Sequence, residues 1–156
     1  MNKIMLALCI LAVFLSACSS GDSQDQKSEQ MGDQKPVLIV DRNDPLHNLA
    51  DAPFHADVSE AAQIGKLMAQ LKQLPPFPKE MVHCPLDNGV SYKLTFKNID
   101  GGNLEAEVTA TGCQQVKVGE DNVLWAMEPK GKGFRANLMH VLGMTEQQFD
   151  GMMKTD

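Results

Sequence analysis

An α+β fold, built on a small antiparallel sheet of about four strands, is predicted by three features of this 156-residue chain. Two alternating segments of similar length, 90–97 and 104–111, flank a glycine-bearing turn. Cys84 stands before the first and Cys113 after the second. Helical periodicities fall before and after this block and never inside it.

The two strands come first because they organise the rest. Val90, Tyr92, Leu94 and Phe96 alternate with Ser91, Lys93, Thr95 and Lys97, the period-2 signature of a half-buried strand. Leu104, Ala106, Val108 and Ala110 alternate in the same way with Glu105, Glu107, Thr109 and Thr111. Gly101 and Gly102 supply the positive φ that a tight reversal demands. Keeping both apolar faces together requires even numbers to pair with even. A three-residue loop at Asp100–Gly102 does this, and sets Phe96 opposite Ala106, Leu94 opposite Val108 and Lys97 opposite Glu105. A slip of one residue would bury the charges, so the face is strongly specified. Because the strands run antiparallel, Cys84 and Cys113 are brought together, and a disulfide between them staples the hairpin. The competing assignment is two buried free thiols, which a reducing compartment would favour. Pro85-Leu86-Asp87-Asn88-Gly89 reads as a further turn cluster.

The start of the chain bears on compartment. Met1–Ala17 carries Lys3 as its only charge, then an apolar run from Ile4 to Leu15. That run is too short to span a bilayer and has the length of a signal-peptide core. It ends in Leu15-Ser16-Ala17-Cys18, which resembles the lipobox of bacterial lipoproteins over residues 1–18. The resemblance implies diacylglyceryl transfer to the Cys18 thiol, cleavage before Cys18, and often acylation of the new amino group by a chain such as palmitate. Two or three acyl chains on one residue give stable anchoring where one would be marginal. The alternative is an ordinary cleaved signal with Cys18 unmodified. On this reading 1–17 is the signal peptide, 18–35 a lipid-anchored tether and 36–156 a single α+β domain. Cys9 leaves with the signal and Cys18 takes the lipid, so Cys84 and Cys113 are the one remaining pair. The domain is then expected on the extracytoplasmic side of the bacterial cell envelope, with the membrane as one partner through the lipid.

Ser19–Lys35 is Ser, Gly, Asp, Gln, Lys and Glu with one Met, a composition that cannot bury enough surface to fold. Removing Met1–Ala17 takes one of 14 basic residues and none of 20 acidic ones, so the formal charge moves from −6 to −7. Such a balance argues against a nucleic-acid partner and against electrostatic attachment to anionic lipid.

Val37–Val40 is a short apolar run that can add a strand. Asp41, Asp44, His47, Asp51, His55 and Asp57 follow among turn residues, the one stretch where a metal or acid–base site is conceivable, although their spacing matches no helix or strand face. A helix is expected from about Asp57, with Glu60 completing a capping box. Ala61, Ile64, Leu67, Met68, Leu71 and Leu74 give its apolar stripe, and it ends before Pro75. Pro75-Pro76-Phe77-Pro78 reads as a rigid connector, with a polyproline ligand as the other reading. Beyond Cys113, strands are expected at Gln114–Val118 and Val123–Met127. Trp125 is assigned to core packing or to a pocket wall. A helix over Phe134–Leu142 closes at Gly143, and a capping box at Thr145–Gln148, with Met144 and Phe149 as its staple, starts a last one from about Glu146 to Met152. The other methionines, Met68, Met81, Met127, Met139 and Met153, are read as adaptable packing rather than copper ligands.

The run from Leu71-Lys72-Gln73-Leu74-Pro75 through Cys84-Pro85-Leu86-Asp87-Asn88-Gly89 to Gly112-Cys113-Gln114-Gln115-Val116 resembles a segment of small exported bacterial proteins and lipoproteins of unknown function. The resemblance implies the helix, the proline pair and the cysteine-opened hairpin, and no catalytic residue. No G-x-S-x-G elbow is present, and with Cys84 and Cys113 paired no thiol nucleophile remains. His83 beside Cys84 is read as a structural residue at a strand edge, with a base as the other assignment. No catalytic, metal or cofactor site is therefore expected. The function anticipated is non-catalytic binding of an envelope protein partner or small ligand. The alternative is a secreted protease inhibitor presenting Pro85–Gly89 or Pro129–Gly133.

Overall fold

The structure, a computed structural model, describes residues 35–47, 49–50 and 53–151. In chain order its elements are β1 (Val37–Asn43), β2 (His55–Val58), α1 (Ala61–Lys72), β3 (Ser91–Ile99), β4 (Gly102–Thr109), β5 (Gln115–Val118), β6 (Asn122–Trp125), α2 (Phe134–Leu142) and α3 (Glu146–Asp150). The fold is α+β as expected, but the antiparallel sheet has six strands rather than four, in the order β2-β1-β3-β4-β5-β6. The two additions are β1 and β2. The Val37–Val40 run continues through Asp41–Asn43 and lies inside the sheet between β2 and β3. His55–Val58, read above partly as turn residues and partly as the start of the first helix, is the edge strand beside it.

That placement also moves the helix start. Asp57 sits opposite Ile39 in the β1–β2 ladder, so it cannot cap a helix. Glu60 is the N-cap, and no side-chain hydrogen bond caps this end. From there the expected stripe holds at Ile64, Leu67, Met68 and Leu71, which are buried, while Ala61 is exposed. The capping box at Thr145 and Gln148 is formed in both directions, and Gly143 closes α2 at φ 65°.

The even-numbered residues of β1, β3 and β4 share a core with β5, α1, α2 and α3: Leu38, Val40, Leu94, Phe96, Val108, Val116, Ile64, Leu67, Phe134 and Phe149 form one buried cluster. Helices therefore cover one face of the sheet. Burying these side chains contributes roughly 1.5–3 kcal/mol each before entropy is counted.

The β3–β4 register differs by two residues from the expected one. Phe96 pairs with Leu104, Leu94 with Ala106 and Tyr92 with Val108. The reversal uses two residues, Asp100 (φ 49°) and Gly101 (φ 79°), the double positive φ of a type I′ turn. Continued regularly from Ile99↔Gly102, that turn would put Phe96 opposite Glu105. A bulge between Phe96 and Ile99 prevents this. Asn98 takes φ 58°, and its N–H donates to Asn103 Oδ1 at 3.2 Å. The extra residue restores the pairing of like faces. Lys97, expected opposite Glu105, is displaced by the bulge, and the Lys93 ammonium reaches Glu105 at 3.2 Å instead.

Candidate functional site

The face of the sheet turned away from the helices is assembled by register alone. Asp41 lies opposite both His55 and Lys93, Lys93 opposite Glu107, and Glu107 opposite Lys117. A single row of alternating charge thus crosses β2, β1, β3, β4 and β5. A concavity of about 490 Å³ opens over Asn43, Lys93, Glu105, Glu107, Lys117 and Glu120. Both carboxylates and ammonium groups line it, which suits a dipolar or mixed-charge ligand.

At the edge of this row, Asp41 Oδ1 lies 2.6 Å from His55 Nδ1, and Asp57 Oδ1 lies 3.6 Å from Nε2. The hydrogen bond to Asp41, with the charges of both aspartates, holds the imidazolium to higher pH than its ordinary 6.5. The two carboxylates approach opposite ring nitrogens, so one metal ion cannot take all three groups. Among the described residues, no group of three His, Cys, Asp or Glu side chains is placed to hold a metal. Asp44 is used locally, its Oδ2 accepting the Leu49 N–H at 3.1 Å. Asp51, like Cys18, lies outside the described residues.

Cys84 and Cys113 are joined in a disulfide, with Cα atoms 4.9 Å apart, well inside the range such bridges span. Pro85–Gly89, expected as a turn, shows no backbone turn or bend over residues 81–88, but it reverses at its carboxy-terminal end through side chains and through Gly89 at φ 77°. Asp87 Oδ1 accepts the Gly89 N–H at 2.9 Å, and Asn88 Oδ1 accepts the Val90 N–H at 3.1 Å. Leu86 is 92% exposed and Met81 91%, so Met81 is not the packing residue it was expected to be. Met68 is buried, and Met139 and Met144 pack against the core; Met152 and Met153 lie outside the described residues. His83 is exposed within the same irregular segment rather than at the edge of a strand.

Pro75–Phe77 does act as a connector, and it also lines the edge of β6. Trp125 N–H donates to Pro75 O at 2.9 Å and Phe77 N–H to Val123 O at 2.8 Å. The Phe77 ring meets Trp125 edge-on at 6.0 Å. Since Leu124 faces the core with its partner Val116, Trp125 lies on the charged face.

One arrangement was missed in the sequence altogether. Arg135 is buried in α2, its side chain 7% exposed. It donates to Ala110 O at 3.0 Å, is paired with Asp150, and lies 4.8 Å above the Phe149 ring. That ring stacks on Tyr92 at 4.3 Å, and the Tyr92 hydroxyl donates to Phe149 O at 2.9 Å. Burial pushes the Asp150 carboxyl above its ordinary range, against the pull of Arg135. The group pins α3 to the sheet. Nearby, a smaller hollow of about 280 Å³ lies between Arg42, Phe54, Leu142 and Met144.

No family model matches the chain, and neither the curated proteins nor the solved structures include a match to it. Among the described residues, no helix is long and apolar enough to cross a membrane.

Proposed function

We propose that the chain is a lipid-anchored, non-catalytic protein of the bacterial cell envelope that binds a protein partner or small ligand. Leu15-Ser16-Ala17-Cys18 supports the anchor: acyl groups on Cys18 would hold the chain in the membrane with its folded part on the extracytoplasmic side. The Cys84–Cys113 disulfide agrees with an oxidising compartment. The binding reading is carried by one observation, the sheet face left bare of described helices. Its alternating row from His55 to Lys117 borders a concavity, a surface that rewards complementary charge on a partner.

Two measurements test this. Cells expressing the full chain are labelled with palmitate and fractionated: label is expected on the wild type in the membrane fraction and absent from Cys18→Ala. Label retained by the variant would remove the anchor. Affinity capture from envelope extract is then run with wild type and with Lys93→Glu/Lys117→Glu. A partner held by the former and released by the latter is expected; an empty capture under several salt conditions counts against the binding role.

A further inference from the structure

We propose that the segment around Leu86 is a substrate-like inhibitory loop for serine proteases whose primary specificity pocket is apolar, with Leu86–Asp87 as the bond presented. The proposal rests on the partner-binding reading above and narrows the partner to one class.

A protease accepts its substrate as an extended strand with one side chain projecting into a pocket. Residues 81–88 belong to no helix, strand, turn or bend, and Leu86 projects into solvent over 92% of its surface. An apolar side chain so placed gains most from a partner that buries it. The other loop considered above, Pro129–Gly133, is folded inward. Gly131 N–H donates to Met127 O at 2.9 Å, Gly133 N–H to Glu128 Oε1 at 2.6 Å, and Lys132 O accepts from Gln70.

What separates an inhibitor from a substrate is whether the cut ends stay in place. Both sides of Leu86–Asp87 are fastened to the same short segment, 111–113. On the amino-terminal side, Cys84 is bonded to Cys113 two residues before Leu86. On the carboxy-terminal side, the Thr111 hydroxyl accepts the Asn88 N–H at 3.0 Å and lies 3.2 Å from Asp87 Oδ1 and 2.8 Å from Asn88 Oδ1. Asn88 Nδ2 also donates to Asp150 O at 2.7 Å. Gly112 contributes by what it lacks: a Cβ there would stand 2.8 Å from Asp87 Cβ, so only glycine lets Asp87 lie this close.

The consequence for the reaction follows directly. The protease serine adds to the Leu86 carbonyl carbon and passes its proton to the protease histidine. Collapse of the adduct breaks the Leu86–Asp87 bond, and the same proton goes to the Asp87 amine. In an ordinary substrate that amine departs and water displaces the serine, so that one water is consumed per bond. Here Asp87 is held beside the acyl group, and its amine can re-form the bond and expel the serine. Holding the reacting groups together replaces a bimolecular return with an intramolecular one, and chain release slows.

The test uses the purified full chain with chymotrypsin, whose specificity slot is apolar, and trypsin, whose slot is acidic. Wild type is expected to inhibit chymotrypsin below about 1 μM and to spare trypsin. Leu86→Lys should shift the preference toward trypsin by on the order of a hundredfold or more, an effect that altered folding does not produce. Mass spectrometry of the recovered complex should show a single cut, after Leu86, with both pieces released only on reduction. Steady digestion of wild type, no inhibition by it, or an unchanged preference in Leu86→Lys would each overturn the proposal. If envelope capture still yields a partner that is not a protease, only the narrowing fails.

Discussion

Replacing both Cys84 and Cys113 with alanine isolates what the disulfide contributes. The cysteines are 29 residues apart, and closing a loop of that length in the unfolded chain corresponds to about 3.6 kcal/mol at 25 °C in the chain-entropy model. The native state should change little. Both cysteines are only half-buried, so truncation opens no large cavity, and the Asp87 and Asn88 bonds to Thr111 remain to hold the loop. Against a typical stability of roughly 5–15 kcal/mol, the variant should still fold, with its midpoint lowered by roughly 10–20 °C. Urea unfolding followed through Trp125, the single tryptophan, gives the free energy. The slope m should rise, because the unclosed unfolded chain exposes more surface. A loss below about 1 kcal/mol would mean that the bridge restrains little, and that the hairpin is held by its ladder and hydrogen bonds alone.

Two further outcomes follow from the charged groups. His55 is protonated more readily in the folded state than free, so its contribution to the β1–β2 edge is fully present below pH 6.5 and is lost as pH rises through the folded value above it. Ring titration by NMR should show the raised value, and Asp41→Asn should return it toward 6.5; no movement in that variant would refute the pairing. Arg135→Met should cost roughly 2–3 kcal/mol, since Ala110 O and the Asp150 carboxylate both lose a donor while Asp150, 35% exposed, recovers some water. A loss in urea unfolding below about 0.5 kcal/mol, the size of an ordinary surface change, would show that α3 is held by Phe149 and Tyr92 without it.

Elements with enough periodic residues or a local code were legible in the sequence, and β2 was not. The twelve residues of α1 declare their face through Ile64, Leu67, Met68 and Leu71, and the Thr145–Gln148 box is a local code read locally. The four residues of β2 alternate correctly, Ala56 and Val58 paired with Val40 and Leu38 while His55 and Asp57 face outward. Two apolar residues are too few to outweigh an aspartate that also fits a cap. The charged row was not legible at all, because no two of its members are near in sequence. His55, Asp41, Lys93, Glu107 and Lys117 become neighbours only once strand order and register are fixed. The turn at Pro85–Gly89 was legible in kind but not in form. Its Asp and Asn close Asx turns onto the Gly89 and Val90 N–H groups, and Thr111, twenty-three positions from Asn88, holds them in place.

The β3–β4 register shows which part of a sequence inference is robust. Parity was fixed by burial: a register pairing Phe96 with a glutamate would place either that carboxylate in the core or the aromatic ring in solvent, a cost of several kcal/mol. Position along the strand was not fixed in this way, because Leu104 and Ala106 both satisfy Phe96 as apolar partners. The choice fell to the turn, where Asp100-Gly101 adopts the two-residue geometry that matches strand twist. That turn alone has the wrong parity, and the chain reconciles the two demands at Asn98, a residue type that tolerates positive φ at little cost. The bulge is thus the place where local turn chemistry and distant core packing are made compatible. Asn98 also ties it to the start of β1, its amide donating to Lys35 O at 3.2 Å.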